Sequence, residues 1–189
     1  MSSDALSLLI VCTANQCRSP LGEVIARDAL ARAGLEMTVG SAGTMAEEGL
    51  PPTDATEFLA KRMGFDLSEH ESRLVDEEMV ADASLVICME RAHVVAICSE
   101  WPDAYPRTFT LKDLARRAAT THRHPSEPLD HWLVRLGEDR VASEMLGRSL
   151  RDDVADPVGR SLRRHRKAAE EITSLLDIVI EQLNPPIAV

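Results

Sequence analysis

Two stretches of the chain are apolar without alternation, 6–11 (LSLLIV) and 85–89 (LVICM). Runs of that kind suit strands buried on both faces, as in a parallel sheet. Between and after them the period lengthens to that of helices. From Pro20, Leu21, Val24, Ile25 and Ala29 recur at helical spacing, and Gly34 is placed to end the helix. A strand is expected over 37–43. A helix is expected over 53–63, with Ala55, Phe58, Leu59 and Met63 on one face and Gly64 at its end. Residues 65–73 read as connecting chain and 75–81 as a short helix. A helix follows the second apolar run to about residue 99, and 107–111 is a short strand candidate. The pattern is helical again from Lys112. The stretch 161–183 carries a strong stripe of Leu162, Ala169, Ile172, Leu175, Leu176, Val179 and Leu183. Strands alternating with helices predict right-handed crossovers. The expected fold is a single three-layer α/β domain over 1–189, a doubly wound parallel sheet of about four strands with helices on both faces.

The junction of the first strand and first helix carries candidate chemistry. The turn Cys12-Thr13-Ala14-Asn15-Gln16-Cys17-Arg18-Ser19 leads into Pro20. Ser19 is read as the helix cap and Pro20 as its first residue, where a missing N–H costs nothing. Such a turn aims its backbone N–H groups at one spot, at the positive end of the helix dipole, and suits a dianionic oxyanion. Arg18 offers a planar fork of donors for two of its oxygens, which lysine could not reproduce. A thiol among amide donors, beside a guanidinium and at a helix N-terminus, is expected to ionise readily, so Cys12 is the candidate nucleophile. In a doubly wound fold it would lie beyond the C-terminal end of its strand, where ligands bind. Cys17 shares the turn. It is a candidate to capture an oxidised Cys12 as a disulfide.

Composition narrows the setting. The 189 residues are 44% hydrophobic, enough for one well-buried domain, and carry a net charge of −10. That balance argues against nucleic acid or an anionic membrane as a general partner. No run approaches the ~20 apolar residues of a membrane span, and the first apolar run is short and lacks a basic flank. Four cysteines do not look like a disulfide framework, so a reducing cytoplasm is expected.

Residues 11–20, VCTANQCRSP, resemble the signature of the low-molecular-weight protein-tyrosine phosphatases, C-x5-R-S-P with an Asn and a second Cys inside. Ser41-Ala42-Gly43-Thr44 resembles that family's second-strand motif, His70-Glu71-Ser72-Arg73 its H-x-x-R segment, and Asp156-Pro157 its general-acid loop. The resemblance implies a phosphomonoester hydrolase working through a phosphocysteine on Cys12, with Arg18 as the oxyanion clamp and Asp156 as acid and then base. Residues Thr13, Ala14, Asn15, Gln16, Cys17 and Arg18 would bind the phosphoryl group. Asn15 would be tied down by Ser41 and His70, and Ser19 would donate its hydroxyl to the Cys12 thiolate. Asp152 and Asp153 lie close to Asp156, but neither precedes a proline. No cofactor or metal is expected, and a phosphorylated protein or small phosphomonoester is the expected partner.

Some residues depart from the family pattern. Ala14 stands where glycine is usual; at a positive φ it would cost on the order of 1–2 kcal/mol, and a loop that folds with alanine is expected. Aromatic residues usual after the acid-loop Asp-Pro and after the SAGT-like motif are replaced by Val158-Gly159 and by Met-Ala-Glu-Glu-Gly-Leu at 45–50. The walls of the pocket are therefore altered, with Trp132 or Tyr105 as candidate substitutes. Residues 118–152 are longer than expected and read as a helical insertion over one edge of the site, with Leu129, Leu133, Leu136 and Val141 near helical spacing. His122, His124 and His131 within it read as solvated histidines, since no Cys or carboxylate stands with them at a recognised ligand spacing. Two other readings are arsenate reduction on the same fold, using Cys88 or Cys98, and a non-catalytic phosphoprotein-binding regulator. The intact Cys-Arg-Asp set argues against the latter. Both cysteines read more simply as core.

Overall fold

The structure is a computed structural model that describes residues 6–184. Strand β1 (Ser7–Cys12) is followed by helix α1 (Arg18–Arg32), β2 (Thr38–Gly43), α2 (Asp54–Arg62), α3 (Glu77–Asp82) and β3 (Leu85–Cys88). Then come α4 (Arg91–Glu100), β4 (Thr108–Thr110), α5 (Leu111–Ala118), α6 (Leu129–Leu136) and the long α7 (Leu162–Leu183). The four strands form one parallel sheet in the order β2-β1-β3-β4. This is the doubly wound α/β fold expected from the alternating runs.

Strand β1 is central and buried on both faces. Leu8, Ile10 and Cys12 enter a core shared with α1, α5 and α7, while Leu9 and Val11 enter a second core with α3 and α4. Chain order reverses around β1, and the crevice at such a switch point is where ligands sit. Cys12 ends the strand there, with Gly43 of β2 as its register partner and Cys88 of β3 beside Val11.

Three local readings are corrected. Helix α1 begins two residues earlier than expected: Cys17 is its cap residue and makes no side-chain capping bond, so Ser19 lies inside the first turn. Its hydroxyl is used elsewhere, as described below. The buried positions of α2 are Thr56, Leu59 and Ala60, whereas Phe58 and Met63 are exposed; the helix rests on its neighbours along a face rotated from the one predicted. Helix α6 buries Leu129, Trp132, Leu133 and Leu136 but leaves Val141 exposed. It stands with Ser7, Thr38 and Ser84, the N-terminal ends of the strands, at the opposite end of the sheet from Cys12. Only the return of that segment, near Ser149–Asp153, reaches the site. Trp132 is fully buried and donates its indole N–H to Thr121 O at 2.8 Å, so it lines no pocket near Cys12. Tyr105 is likewise engaged elsewhere, stacked under the Arg140 guanidinium at 4.3 Å.

Candidate active site

The loop from Cys12 to Ser19 is bound on all sides. Asn15 is the only non-glycine residue at positive φ (53°) among the described residues. Ala14 therefore carries no left-handed strain. Asn15 Nδ2 donates to Ser19 Oγ and Ser41 Oγ, both at 2.9 Å, and its Oδ1 accepts from the Arg73 N–H at 2.9 Å. His70 Nε2 donates to the Asn15 carbonyl at 2.7 Å. Ser41 thus holds the Asn15 amide as expected, but His70 holds the backbone of that residue instead. Ser41 passes its own hydrogen to Glu23 Oε2 at 2.6 Å. Gln16 is anchored through its side-chain amide to Pro51 O at 2.9 Å and through its carbonyl to Thr53 N–H at 3.0 Å.

The turn after β2 closes the loop from the side. Thr44 N–H and Met45 N–H donate to the carbonyls of Cys12 and Thr13 at 2.9 and 2.8 Å. A Cβ on Gly43 would lie 2.6 Å from Thr13 O and 2.8 Å from Asn15 N. Glycine is required there because the loop backbone passes directly against β2.

Within this frame the backbone N–H groups of residues 14–17 have no hydrogen-bond partner among the described residues. Arg18, almost fully buried, makes three side-chain hydrogen bonds and a further ion pair through its two terminal nitrogens. One terminal nitrogen reaches Glu90 Oε1 and Val154 O, the latter at 2.9 Å. The other reaches Asp156 Oδ2 at 3.0 Å and Thr13 Oγ1 at 3.4 Å. Its Nε is buried without a partner. Unpaired buried donors are costly, so successive unpartnered amides and a guanidinium N–H on one loop suit an anion.

Cys12 Sγ lies 3.0 Å from Ser19 Oγ, which also accepts from Asn15 and lies 3.2 Å from Ala42 O. The single Ser19 hydrogen can serve either the sulfur or that carbonyl. With a thiolate it belongs to the sulfur; with a thiol, the S–H can donate to Oγ and the hydroxyl turns to Ala42. Cys17 is buried as well, and burial pushes its thiol pKa up to about 11.

Two residues at the start of α4 were not singled out by sequence. Glu90 neutralises Arg18, and His93 reaches back to cap its own helix: Glu90 N–H donates to His93 Nδ1 at 3.1 Å. Burial, with the Arg18 charge adding to it, pushes the His93 pKa down to about 3. The ring is neutral, and because Nδ1 accepts, Nε2 carries the hydrogen and donates to Thr13 Oγ1 at 3.0 Å. Thr13 Oγ1 then accepts from both His93 and Arg18, leaving its own O–H to point at a ligand. The only sequence signal was the spacing Glu90-x-x-His93 at a helix start. That pattern differs from the usual capping box.

The segment around Asp156 is held by the buried Val154 and Pro157. Val154 donates its N–H to Met89 O at 2.8 Å and accepts from Arg18, with its side chain fully buried. Asp152 pairs with Arg91 and Arg116, and Asp153 caps Arg91 N–H and Ser149 N–H at 2.9 and 2.7 Å. Asp156 alone of the three faces Arg18. It is about 44% exposed, and its Oδ1 accepts from Val158 N–H at 3.1 Å. The histidines of 122–131 lie elsewhere: His122 Nδ1 is 3.3 Å from Gln182 Oε1, His124 Nδ1 is 2.9 Å from Ser126 Oγ, and His131 is exposed.

The sequence model of the family described as low molecular weight phosphotyrosine protein phosphatase matches residues 7–138. The chain belongs to that family. It is a phosphatase of the low-molecular-weight protein-tyrosine-phosphatase type, and neither arsenate reduction nor a non-catalytic binding role is favoured. Asp156 lies beyond the matched segment. The phosphatase is 28% identical over 176 residues to a protein-arginine-phosphatase of Geobacillus stearothermophilus, covering 93% of this chain and 95% of that one. It is 35% identical over 106 residues to the low molecular weight protein-tyrosine-phosphatase Etp of Escherichia coli, covering 54% and 67%. Among solved structures, a low molecular weight protein tyrosine phosphatase from T. tengcongensis superposes with a TM-score of 0.72 at 29% identity, over 94% of this chain and 99% of that one.

Proposed function

We propose that this phosphatase hydrolyses phosphorylated protein side chains in the cytoplasm through a phosphocysteine on Cys12. The observation that carries the reading is a single loop, opened by Cys12, whose amides of 14–17 and whose Arg18 Nε all lack a partner among the described residues. The phosphoryl oxygens take those donors and the Thr13 hydroxyl. They also compete with Asp156 for Arg18, which frees the carboxyl to face the leaving atom. The Cys12 thiolate attacks in line: the S–P bond forms as the bond from phosphorus to the leaving atom breaks, and Asp156 delivers its proton to that atom. Asp156, now a carboxylate, takes a proton from water. The water oxygen attacks phosphorus, the S–P bond breaks, and phosphate leaves with the thiolate restored. Arg18 and the loop amides hold the equatorial oxygens in both steps, where their preorganisation is of most use. Ser19 donates to the sulfur whenever it carries charge. Cys17, on the same loop, is the candidate thiol to capture a sulfenic acid on Cys12 as a disulfide with loss of water; its high pKa keeps it protonated at neutral pH, so capture runs through a small thiolate fraction.

Phosphotyrosine is the first substrate class. A second, phosphoarginine, is favoured by a specific pairing of observations: the arginine-phosphatase relative aligns along nearly the whole chain, and aromatic flanks for a tyrosine ring are replaced by Met45, Glu47, Glu48 and Val158. Turnover of matched phosphotyrosine and phosphoarginine peptides beside p-nitrophenyl phosphate tests both. Losing two aromatic flanks, each contributing about 0.5–1.5 kcal/mol, is expected to weaken phosphotyrosine peptides by one to two powers of ten, mostly in KM. A kcat/KM near ~10⁶ M⁻¹s⁻¹ on phosphotyrosine peptides would overturn the altered-wall account. No turnover of any of the three would overturn the reading itself.

A further inference from the structure

A groove of about 640 Å³ opens at Asp156 and Pro157 and runs along the first two turns of α7. Arg160, Arg164, Lys167, Lys112 and Leu150 are among the residues that line it. The carboxylates on its walls are already engaged. Asp156 holds Arg18, Asp153 caps two backbone N–H groups, and Glu171 pairs with Lys112 at 2.9 Å. Arg160, Arg164 and Lys167 are exposed and take part in no ion pair among the described residues. These unpaired cations stand out in a chain of net charge −10.

Stability does not account for them. The first turn of α7 holds no acidic residue, and Ser161 makes no side-chain capping bond. Arg163, Arg164 and Arg166 instead set positive charge against the positive end of the helix dipole, which is unfavourable. Local rules broken beside a reactive centre point to function. Leu150, 97% exposed, adds an apolar contact at the mouth of the groove.

We infer that this groove binds acidic side chains of the substrate polypeptide, close in sequence to the phosphorylated residue. The groove begins at Asp156, which pairs with Arg18 of the phosphate loop, so a substrate chain held at that loop has the groove as a continuation of its site. In an extended chain the residues close to the phosphorylated one are those that reach Arg160, Arg164 and Lys167. The inference rests on the phosphoprotein-phosphatase reading above and adds the sequence context that it prefers.

The test compares wild type with the double variant Arg164→Glu/Lys167→Glu. Both positions are exposed and lie outside the catalytic loop, and glutamate suits a helix start. Phosphopeptides carrying Glu, Gln or Lys two to four residues before or after the phosphorylated residue serve as substrates, with p-nitrophenyl phosphate as control. Wild type is expected to favour the Glu peptides over the Lys peptides by roughly five- to tenfold in kcat/KM, through KM, as suits two or three exposed ion pairs. The preference should shrink with added salt and be lost or reversed in the double variant, with p-nitrophenyl phosphate turnover equal in both proteins. Equal use of Glu and Lys peptides by wild type, or a preference that survives the double variant, would overturn the groove. An acidic peptide without phosphate that inhibits p-nitrophenyl phosphate turnover as strongly as peptide turnover would also overturn it, since the peptide would then be held at the catalytic loop. Wild-type failure on p-nitrophenyl phosphate would instead refute the phosphatase reading on which the inference rests.

Discussion

Residues 12–19 and residues 154–160 meet at the Arg18 guanidinium and are held there in different ways. The first segment is mostly buried and tied by Asn15, Ser41, His70, Thr44 and Met45, with Gly43 pressed against its backbone. The second hangs from one buried residue, Val154, and from the buried ring of Pro157, while Ala155, Asp156, Val158, Gly159 and Arg160 are exposed. The contrast matches the chemistry assigned to each. An oxyanion cradle works by being fixed before the reaction, whereas the acid must release Arg18, protonate a leaving atom and then deprotonate water. Substitutions in the two segments should therefore fail differently.

The largest difference lies at the sulfur. Cys12→Ser is expected to lower kcat on p-nitrophenyl phosphate by roughly 10⁴–10⁶ while keeping the fold and phosphate affinity, measured by turnover and by thermal shift with phosphate. Turnover comparable to wild type would end the mechanism. Asp156→Asn should lower kcat by roughly 10²–10⁴ for a poor leaving group and far less for one that departs unprotonated. A leaving-group series checks this, and a flat loss across it would make Asp156 structural.

Two glycines sharpen the comparison of rigidity. An alanine at 43 drives its Cβ into the loop backbone, so Gly43→Ala should cost about 1–3 kcal/mol of stability and reduce kcat/KM on the order of 10²-fold. Gly159, at φ +70° with open space around its Cβ position, is a different case. Its alanine variant should lose roughly 1–2 kcal/mol yet bind phosphate as wild type does. Denaturation curves and phosphate titrations on both variants decide it; equal loss of phosphate affinity would erase the distinction.

The smallest effect concerns His93. In His93→Asn the side-chain oxygen can still cap Glu90 N–H, but the bond to Thr13 is lost, so kcat should fall about two- to tenfold. The native pKa of about 3 lies below the usual 6.5. The unfolded chain therefore takes up a proton first as pH falls. The contribution of the neutral ring is full above pH 6.5 and declines by up to about 1.4 kcal/mol per unit between 6.5 and 3. Wild type should accordingly lose stability on acidification more steeply than the variant. Parallel curves would mean that the ring is not held neutral.

The difference between the two loops also explains what could be read in advance. Strand, phosphate loop and first helix are contiguous, so the apolar run, C-x5-R and Pro20 expose them in one stretch of chain. Asn15 was legible for a similar local reason, as the residue most tolerant of positive φ. Glu90, His93 and Val154 reach Arg18 and Thr13 from more than seventy positions away, and no periodicity encodes such pairings. Ser19 was misjudged because serine before proline looks like a cap, whereas the hydrogen bonds to Cys12 and Asn15 draw it inside the helix. Helix α6 lies away from the site where it was expected because Leu129, Leu133 and Leu136 show that a face is buried, but not at which end of the sheet.

The central claim is a covalent phosphoryl group on Cys12, and rapid acid quench during p-nitrophenyl phosphate turnover, followed by peptide mass spectrometry, tests it most directly. The account predicts phosphate on the peptide containing Cys12, at that sulfur and not at Cys17. Accumulation should increase in Asp156→Asn, where the leaving group needs no acid but hydrolysis still needs the base. Phosphate mapped to another residue, or unmodified Cys12 throughout steady turnover of that variant, would contradict it.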